Sequence, residues 1–480
     1  MNYQTTFSIA LAALLLSVST ARSQDPPINL VIIQTDEHHF GTLGCYGGKI
    51  VGTPHIDSIA RQGVTCTAFY AATPVCSPSR ASFISGRYPQ KTPVVTNNIP
   101  LADSVVTFAE VLRRRGYATG FAGKWHLDGS GKPQWAPERQ FGFSDNRFMF
   151  NRGHWKKLVD SPKGPRIGAR NEKGQATYAV DNADEKTFST DWLASKAIDF
   201  IAANKDKPFC YYLSLPDPHG PNTVRAPYDT MYADVKVPIP ATLIRQPGQI
   251  PGWGKSANVN AAALRRLMPG YYGMVKCIDD NVGRILAELK KHNLLDTTMI
   301  VFTSDHGDLC GEHGRLNKGV PYEGSARIPF LVSCPGRLPA DTTVQEALST
   351  VDFFPTAMKL LGISYDKKVD GRDASGLLAG TEEESWNDIA FLRSTPGQPW
   401  LCAVSARYKL VYSAQDDPWL IDLQQDPGEV TNLFGKPGLQ DVARTMTGQL
   451  IEYARRHQDE HARVPRIQAA MMKTVRTQDD

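Results

Sequence analysis

Asn29-Leu30-Val31-Ile32-Ile33-Gln34 runs straight into Thr35-Asp36-Glu37. A short, unbroken apolar run rich in β-branched residues reads as a strand buried on both faces, as in a parallel sheet covered by helices. It ends in two carboxylates, at the edge where α/β sheets bind ligands, beyond the carboxyl ends of their strands. Three more runs repeat the pattern. Residues 117–122 lead to Gly123-Lys124-Trp125-His126, residues 209–215 to Asp217-Pro218-His219, and residues 299–303 to Ser304-Asp305-His306-Gly307-Asp308. Amphipathic helical patterns cover 104–115, 192–204 and 271–292. The alternation predicts an α/β fold: a large mixed, mostly parallel sheet sandwiched by helices, with four strands delivering Asp, Lys or His to one edge.

Beyond Gly380-Thr381-Glu382-Glu383-Glu384 the pattern changes. Tyr408-Lys409-Leu410-Val411-Tyr412 and Trp419-Leu420-Ile421-Asp422-Leu423 read as strands of a meander with a helix after them, so a smaller C-terminal antiparallel-sheet subdomain is expected. The expected organisation is 24–380 and 381–480, with the end from about Arg463 a mobile tail. Residues 7–18 are apolar and Ala21-Arg22-Ser23 has a small-x-small pattern, so residues 1–23 read as a secretory signal peptide, although its start lacks Lys and Arg. That stretch is too short to span a bilayer and no later one is long enough, which predicts no membrane span and a periplasmic or secreted protein.

A chain of 480 residues with 41% hydrophobic and 21% charged residues is ordinary globular material, and a formal charge of +4 argues against broad nucleic-acid binding. The 8 cysteines are scattered, their spacing names no disulfide pair, and none forms the Cys-x-x-Cys of a zinc ribbon.

The most specific stretch is Cys76-Ser77-Pro78-Ser79-Arg80, closed by Gly86-Arg87. Pro78 suits the first turn of a helix, and Cys76 then sits at a helix N-terminus that favours anions, with Arg80 one turn on. This is a seat for a tetrahedral oxyanion such as sulfate or phosphate. Around it, Asp36, Glu37 and Asp305 are hard oxygen ligands for calcium or magnesium, Lys124 and Lys318 can neutralise sulfate charge, and His126 and His219 can move protons. Singly, each has a structural reading: a loop cap, a structural histidine, a solvated lysine. Their ordered co-occurrence selects the chemistry.

The run also resembles the signature of the formylglycine-dependent (type I) sulfatases of the alkaline phosphatase superfamily. Asp36-Glu37 with Leu43-Gly44-Cys45-Tyr46-Gly47, Gly123-Lys124-Trp125-His126-Leu127, Pro218-His219-Gly220-Pro221, Ser304-Asp305-His306-Gly307 with Gly311-Glu312-His313-Gly314, and Lys318-Gly319 resemble further motifs of that family. Asp422-Leu423, Asp426-Pro427 and Asn432-Leu433 are similar to its C-terminal part.

The resemblance implies a sulfuric ester hydrolase that removes sulfate from a sulfated carbohydrate. Cys76 would be oxidised to formylglycine (3-oxoalanine) by a formylglycine-generating or sulfatase-maturing enzyme. One hydroxyl of the aldehyde hydrate would attack sulfur, and His219 with Lys318 would protonate the leaving alcohol. His126 would deprotonate the second hydroxyl, with Arg80 and Lys124 holding the hydrate. Asp36, Glu37, position 76, Asp305 and His306 would bind one divalent cation, Ca2+ in preference to Mg2+. Two departures stand out: Glu37 replaces a usual Asp, and His306 a usual Asn. His306 is therefore either a nitrogen ligand or a sulfate contact. His38, His39 and His313 are given no catalytic role and are left structural or lining the pocket.

Between the Lys124 motif and the second helix lies a run rich in aromatic and basic residues, from which Arg147, Arg152 and Trp155 are expected to bind an acidic saccharide. Two other readings are a phosphodiesterase or phosphonate monoester hydrolase of the same superfamily, and an inactive relative that only binds sulfated glycans.

Overall fold

The structure is a computed structural model that describes residues 27–255, 257–381 and 386–476. The segment read as a signal peptide lies outside them. Eight strands form the main sheet, in spatial order Thr342–Val344, Val64–Cys66, Phe330–Ser333, Thr298–Ser304, Asn29–Asp36, Phe209–Pro218, Ala118–Lys124 and Asp145–Phe150. All adjacent pairs are parallel except the two made by Phe330–Ser333. The sheet is mixed and mostly parallel, as the apolar runs imply.

The opening run explains the layering. Leu30 and Ile32 point into one apolar cluster and Val31 and Ile33 into another. Helices Cys76–Ser85, Phe108–Arg114 and Phe353–Leu360 supply the first. Pro54–Arg61, Ser189–Asn204 and Ala261–Lys291 supply the second. The last helix begins ten residues before the sequence pattern does. Pro269-Gly270 reads as a break, but Asn260 caps the helix at the Ala263 N–H (2.9 Å), and Gly270 lets the carbonyl of Asn222 approach closer than any Cβ would allow.

The C-terminal part has four antiparallel strands, Ala390–Arg393, Trp400–Val404, Tyr408–Ser413 and Trp419–Asp422. Trp400, Cys402 and Val404 face the catalytic part beside Tyr70 and Tyr322, while Leu401 and Ala403 face helix Gln440–His457. Residues 465–476 are not a loose tail. Pro465–Arg476 is a helix that buries Ile467 and Met471 in the same cluster. All eight cysteines are free thiols, and among the described residues no helix is long and apolar enough to cross a membrane.

Candidate active site at the carboxyl edge of the sheet

Four adjacent parallel strands end side by side. Asp36 closes Asn29–Asp36, Lys124 closes Ala118–Lys124, Asp217 lies at the end of Phe209–Pro218, and Asp305 follows Thr298–Ser304. Helix Cys76–Ser85 is aimed at them. It starts at Cys76, is buried along its whole length, and ends at Gly86, whose φ of 65° releases the chain in the left-handed conformation.

Arg80 organises the centre. Its Nε donates to Asp305 Oδ2 (2.9 Å) and Nη2 to Asp36 Oδ2 (3.0 Å). Nη1 donates to Gln34 Oε1, the Lys124 carbonyl and Ser214 Oγ (3.1, 2.9 and 2.7 Å). The guanidinium is thus engaged by carboxylates and carbonyls, and it fixes the metal-type ligands instead of reaching for an anion. Lys124 Nζ bonds the same Asp36 oxygen and lies 3.7 Å from Cys76 Sγ. Burial pushes Asp36 up, yet Lys124 and Arg80 outweigh it and hold the carboxyl well below its ordinary range. Burial also raises the Cys76 thiol, but Lys124 and Lys318 bring it well below an ordinary cysteine.

Asp36, Cys76, Asp305 and His306 are all buried and present ligand atoms within 4.8 Å of one another. His306 Nδ1 sits on the Gly307 carbonyl (2.9 Å), so in its neutral form Nε2 carries the lone pair, 3.2 Å from Cys76 Sγ. Burial lowers its pKa, but Asp305 and Cys76 raise it to about 9. The cluster therefore attracts positive charge at Nε2, the demand a divalent cation meets. Two carboxylates, an imidazole and the side chain at 76 fit such an ion.

Glu37 stands apart from this group, contrary to the sequence reading. With φ at 63°, its backbone turns the side chain away; the carboxylate takes Lys318 Nζ (3.0 Å) and His219 Nε2 (2.9 Å). Burial raises its pKa, and His219 and Lys318 more than reverse that. Lys318 Nζ is also 2.9 Å from His219 Nε2, so the two expected acid groups and Glu37 form one unit.

His126 stands on the other side, its Nε2 3.1 Å from Asn98 Oδ1. Burial lowers its pKa against the opposing pull of Cys76, which keeps it a neutral base. Asn97 Oδ1 accepts the Ser77 N–H (2.9 Å) at the helix start. Cys76, Lys124, His126, His219 and Lys318 line one cavity of about 190 Å³, completed by Asn97, Asn98, Lys132, Arg152, Gly153, His154 and Tyr178. Roomier hollows occur elsewhere, one of about 590 Å³ beside His39 and Glu312, but none of Cys76, Lys124, His126, His219 and Lys318 lines it.

Of the expected saccharide contacts, Arg152 lines the cavity. Trp155 is 4% exposed and buried behind the wall, its Nε1 donating to the Arg152 carbonyl (3.0 Å). Arg147 does not line it; on the edge strand it is exposed and pairs with Asp145 through two 2.8 Å bonds. The sequence reading missed His154. Its ring stacks on His219 at 3.5 Å and its Nε2 lies 2.9 Å from Lys124 Nζ. It also missed the role of Lys156, which is fully buried and anchors Asp217 (2.6 Å) and the His219 carbonyl (3.2 Å). His38 bridges Thr35 and Thr42 (3.2 and 3.0 Å), and His313 stacks on Tyr322; neither lines the cavity.

Residues 28–363 match the Sulfatase family model, and residues 311–456 match that for the C-terminal region of N-sulphoglucosamine sulphohydrolase. The chain belongs to the sulfatase family. It is an enzyme of the alkaline phosphatase superfamily that hydrolyses sulfate esters. The sulfatase is 29% identical over 451 residues to the ulvan-active sulfatase of Formosa agariphila, covering 90% of this chain and 82% of that one. It is 26% identical over 539 residues to the N-acetylglucosamine-6-O-sulfatase of Bacteroides thetaiotaomicron, covering 95% and 91%. A solved complex with its substrate D-glucosamine-2-N,6-O-disulfate shares the fold with TM-score 0.75 at 21% identity, covering 90% and 98%.

Proposed function

We propose that this sulfatase removes sulfate from a sulfated glycan, with a formylglycine derived from Cys76 as nucleophile and calcium at the ligand cluster. The observation that carries the reading is the cavity itself: Cys76, Lys124, Lys318, His126 and His219 converge on one space of about 190 Å³. The glycan part is supported by the ulvan-active and N-acetylglucosamine-6-O-sulfatase relatives. A calcium ion held by Asp36, Asp305, His306 and the side chain at 76 would draw negative charge from the sulfuryl oxygens.

The chain's own groups divide the proton work. Lys124 and Arg80 fix Asp36 and the geometry at position 76, from which an oxygen attacks sulfur as the ester S–O bond breaks. His219, held between Glu37 and Lys318, delivers the proton that the leaving alcohol takes. Neutral His126 then accepts the proton whose loss expels sulfate and restores the aldehyde. The reading includes export directed by residues 1–23 and maturation of Cys76 by a dedicated enzyme.

The test is peptide mass analysis across position 76 of protein from its natural host, joined to turnover of 4-nitrophenyl sulfate and of a bis-aryl phosphate diester. The expected result is an aldehyde at position 76 and preferred release of sulfate. Unmodified cysteine in a protein that still releases sulfate overturns the nucleophile, and preferred hydrolysis of the phosphate diester overturns the substrate class.

A further inference from the structure

We propose that Lys132 and Arg152, beside the ring of Tyr178, form a second anion subsite in the wall of the sulfate cavity. It would take a carboxylate or a further sulfate on the sugar that carries the scissile ester or on its immediate neighbour. This deepens, and rests on, the sulfated-glycan reading above.

The cavity holds two kinds of cation. Lys124 and Lys318 are each matched by a carboxylate, Asp36 and Glu37. Lys132 and Arg152 line the same space, and among the described residues neither meets a carboxylate. Lys132 Nζ lies 4.8 Å from the centroid of the Tyr178 ring and 5.5 Å from that of Trp155, an aromatic seat that holds the ammonium without neutralising it. Arg152 gives one N–H of Nη1 to the Ser130 carbonyl (2.7 Å), which leaves most of its fork of donors for a planar or tetrahedral oxyanion.

The loop that carries Arg152 is held in shape. The Trp155 indole donates to the Arg152 carbonyl, and Gly153 turns the chain at φ 119°, where a Cβ would meet that indole at 2.3 Å. Arg152 and His154 thereby flank the cavity in a fixed order. Lys132 is exposed and Arg152 half-buried, and the aromatic seat and the braced loop hold both beside the cavity. At about 190 Å³ the space is smaller than the roughly 300–1,000 Å³ of sites that enclose whole drug-sized ligands. The second anion therefore belongs to the same sugar unit or to its immediate neighbour.

The experiment uses full-length Cys76→Ala protein with calcium, which binds but cannot turn over, and the matured enzyme in parallel. Calorimetry measures affinity for glucosamine 6-sulfate, for glucosamine 2-N,6-O-disulfate and for a monosulfated disaccharide carrying a uronate. Inhibition of 4-nitrophenyl sulfate hydrolysis by the same three compounds, and sulfate release from each of them, are measured on the matured enzyme. At least one doubly anionic probe should bind tenfold or more tightly than the single anion. The disulfate and uronate arms show whether sulfate or carboxylate is preferred.

In Lys132→Gln/Arg152→Gln that advantage should fall to within twofold, and Lys132→Arg/Arg152→Lys should keep most of it, which separates charge from folding. Arg147→Ala, which removes a cation outside the cavity, should leave the ratio as in the wild type. Equal affinity for one and two anions, or an advantage that survives the double Gln change, overturns the subsite. Discrimination in binding without sulfate release from any probe would instead overturn the function proposed above and leave the subsite standing.

Discussion

Two clusters of buried charge hold this molecule together, and they settle their charge in different ways. At the junction of the catalytic and C-terminal parts, Lys409 is fully buried and shared by Glu429 (2.7 Å) and Glu323 (2.8 Å), and it also donates to the Pro321 carbonyl (2.7 Å). Burial is the first force on both carboxyls; with one lysine between them, Glu323 is held low while Glu429 is pushed up to about 7. Arg327 adds a second cation to Glu323 (3.4 Å), and protein surrounds the cluster. At the catalytic edge, Arg80 and Lys124 hold Asp36 low, while burial pushes Asp305 up against Arg80 and His306 is drawn up to about 9. There the cluster opens on a cavity and its ligand atoms face one another across Cys76. One cluster is closed by its own groups. The other is built to be closed by something that arrives.

The largest effect expected from this contrast is on catalysis. Lys124→Ala should lower kcat on an aryl sulfate about 10²–10³-fold, the scale of losing one preorganised charge at a reacting centre. Its thermal midpoint should fall less than that of Lys409→Ala. A Lys124→Ala enzyme that melts below Lys409→Ala would erase the distinction.

At the junction the order reverses. Lys409→Ala strands two buried carboxylates and should destabilise the fold by about 3–5 kcal/mol in denaturant unfolding. It should also lower activity, because the Pro321 carbonyl it anchors lies three residues beyond Lys318. The smallest effect is in pH dependence. Glu429 has a folded pKa above its ordinary 4.5, so its contribution to stability is full below about 4.5 and is lost as pH rises through about 7. Glu429→Gln should flatten the dependence of the melting midpoint on pH between those values. An unchanged slope would place the junction's proton elsewhere.

The strand ends were legible because a parallel strand is an unbroken apolar run with polar residues where it stops. That pattern yields Asp36, Lys124 and Asp305 with no knowledge of neighbours. The helix at Cys76 was legible from Pro78 and Gly86, which mark its start and its end. The direction of Glu37 was not, since one positive φ decides whether a carboxylate joins Asp36 or faces Lys318. His154, Lys132 and Tyr178 lie in irregular segments on either side of strand Asp145–Phe150, where no periodicity says which side chains face inward. Arg147 misled for the opposite reason: its aromatic and basic neighbours suggest a binding loop, but it lies on an edge strand with Asp145 two residues away.

Cys76 is 3% exposed, and every residue of its helix from 76 to 85 is buried. The thiol is reached only through a cavity of about 190 Å³, below the roughly 300–1,000 Å³ of sites that enclose a drug-sized ligand. On the reading proposed above, a maturing enzyme would have to reach this thiol while the chain is still open, before the strands ending at Asp36 and Asp305 close around it. The burial of that helix would then set an order of events, and not only an arrangement of atoms.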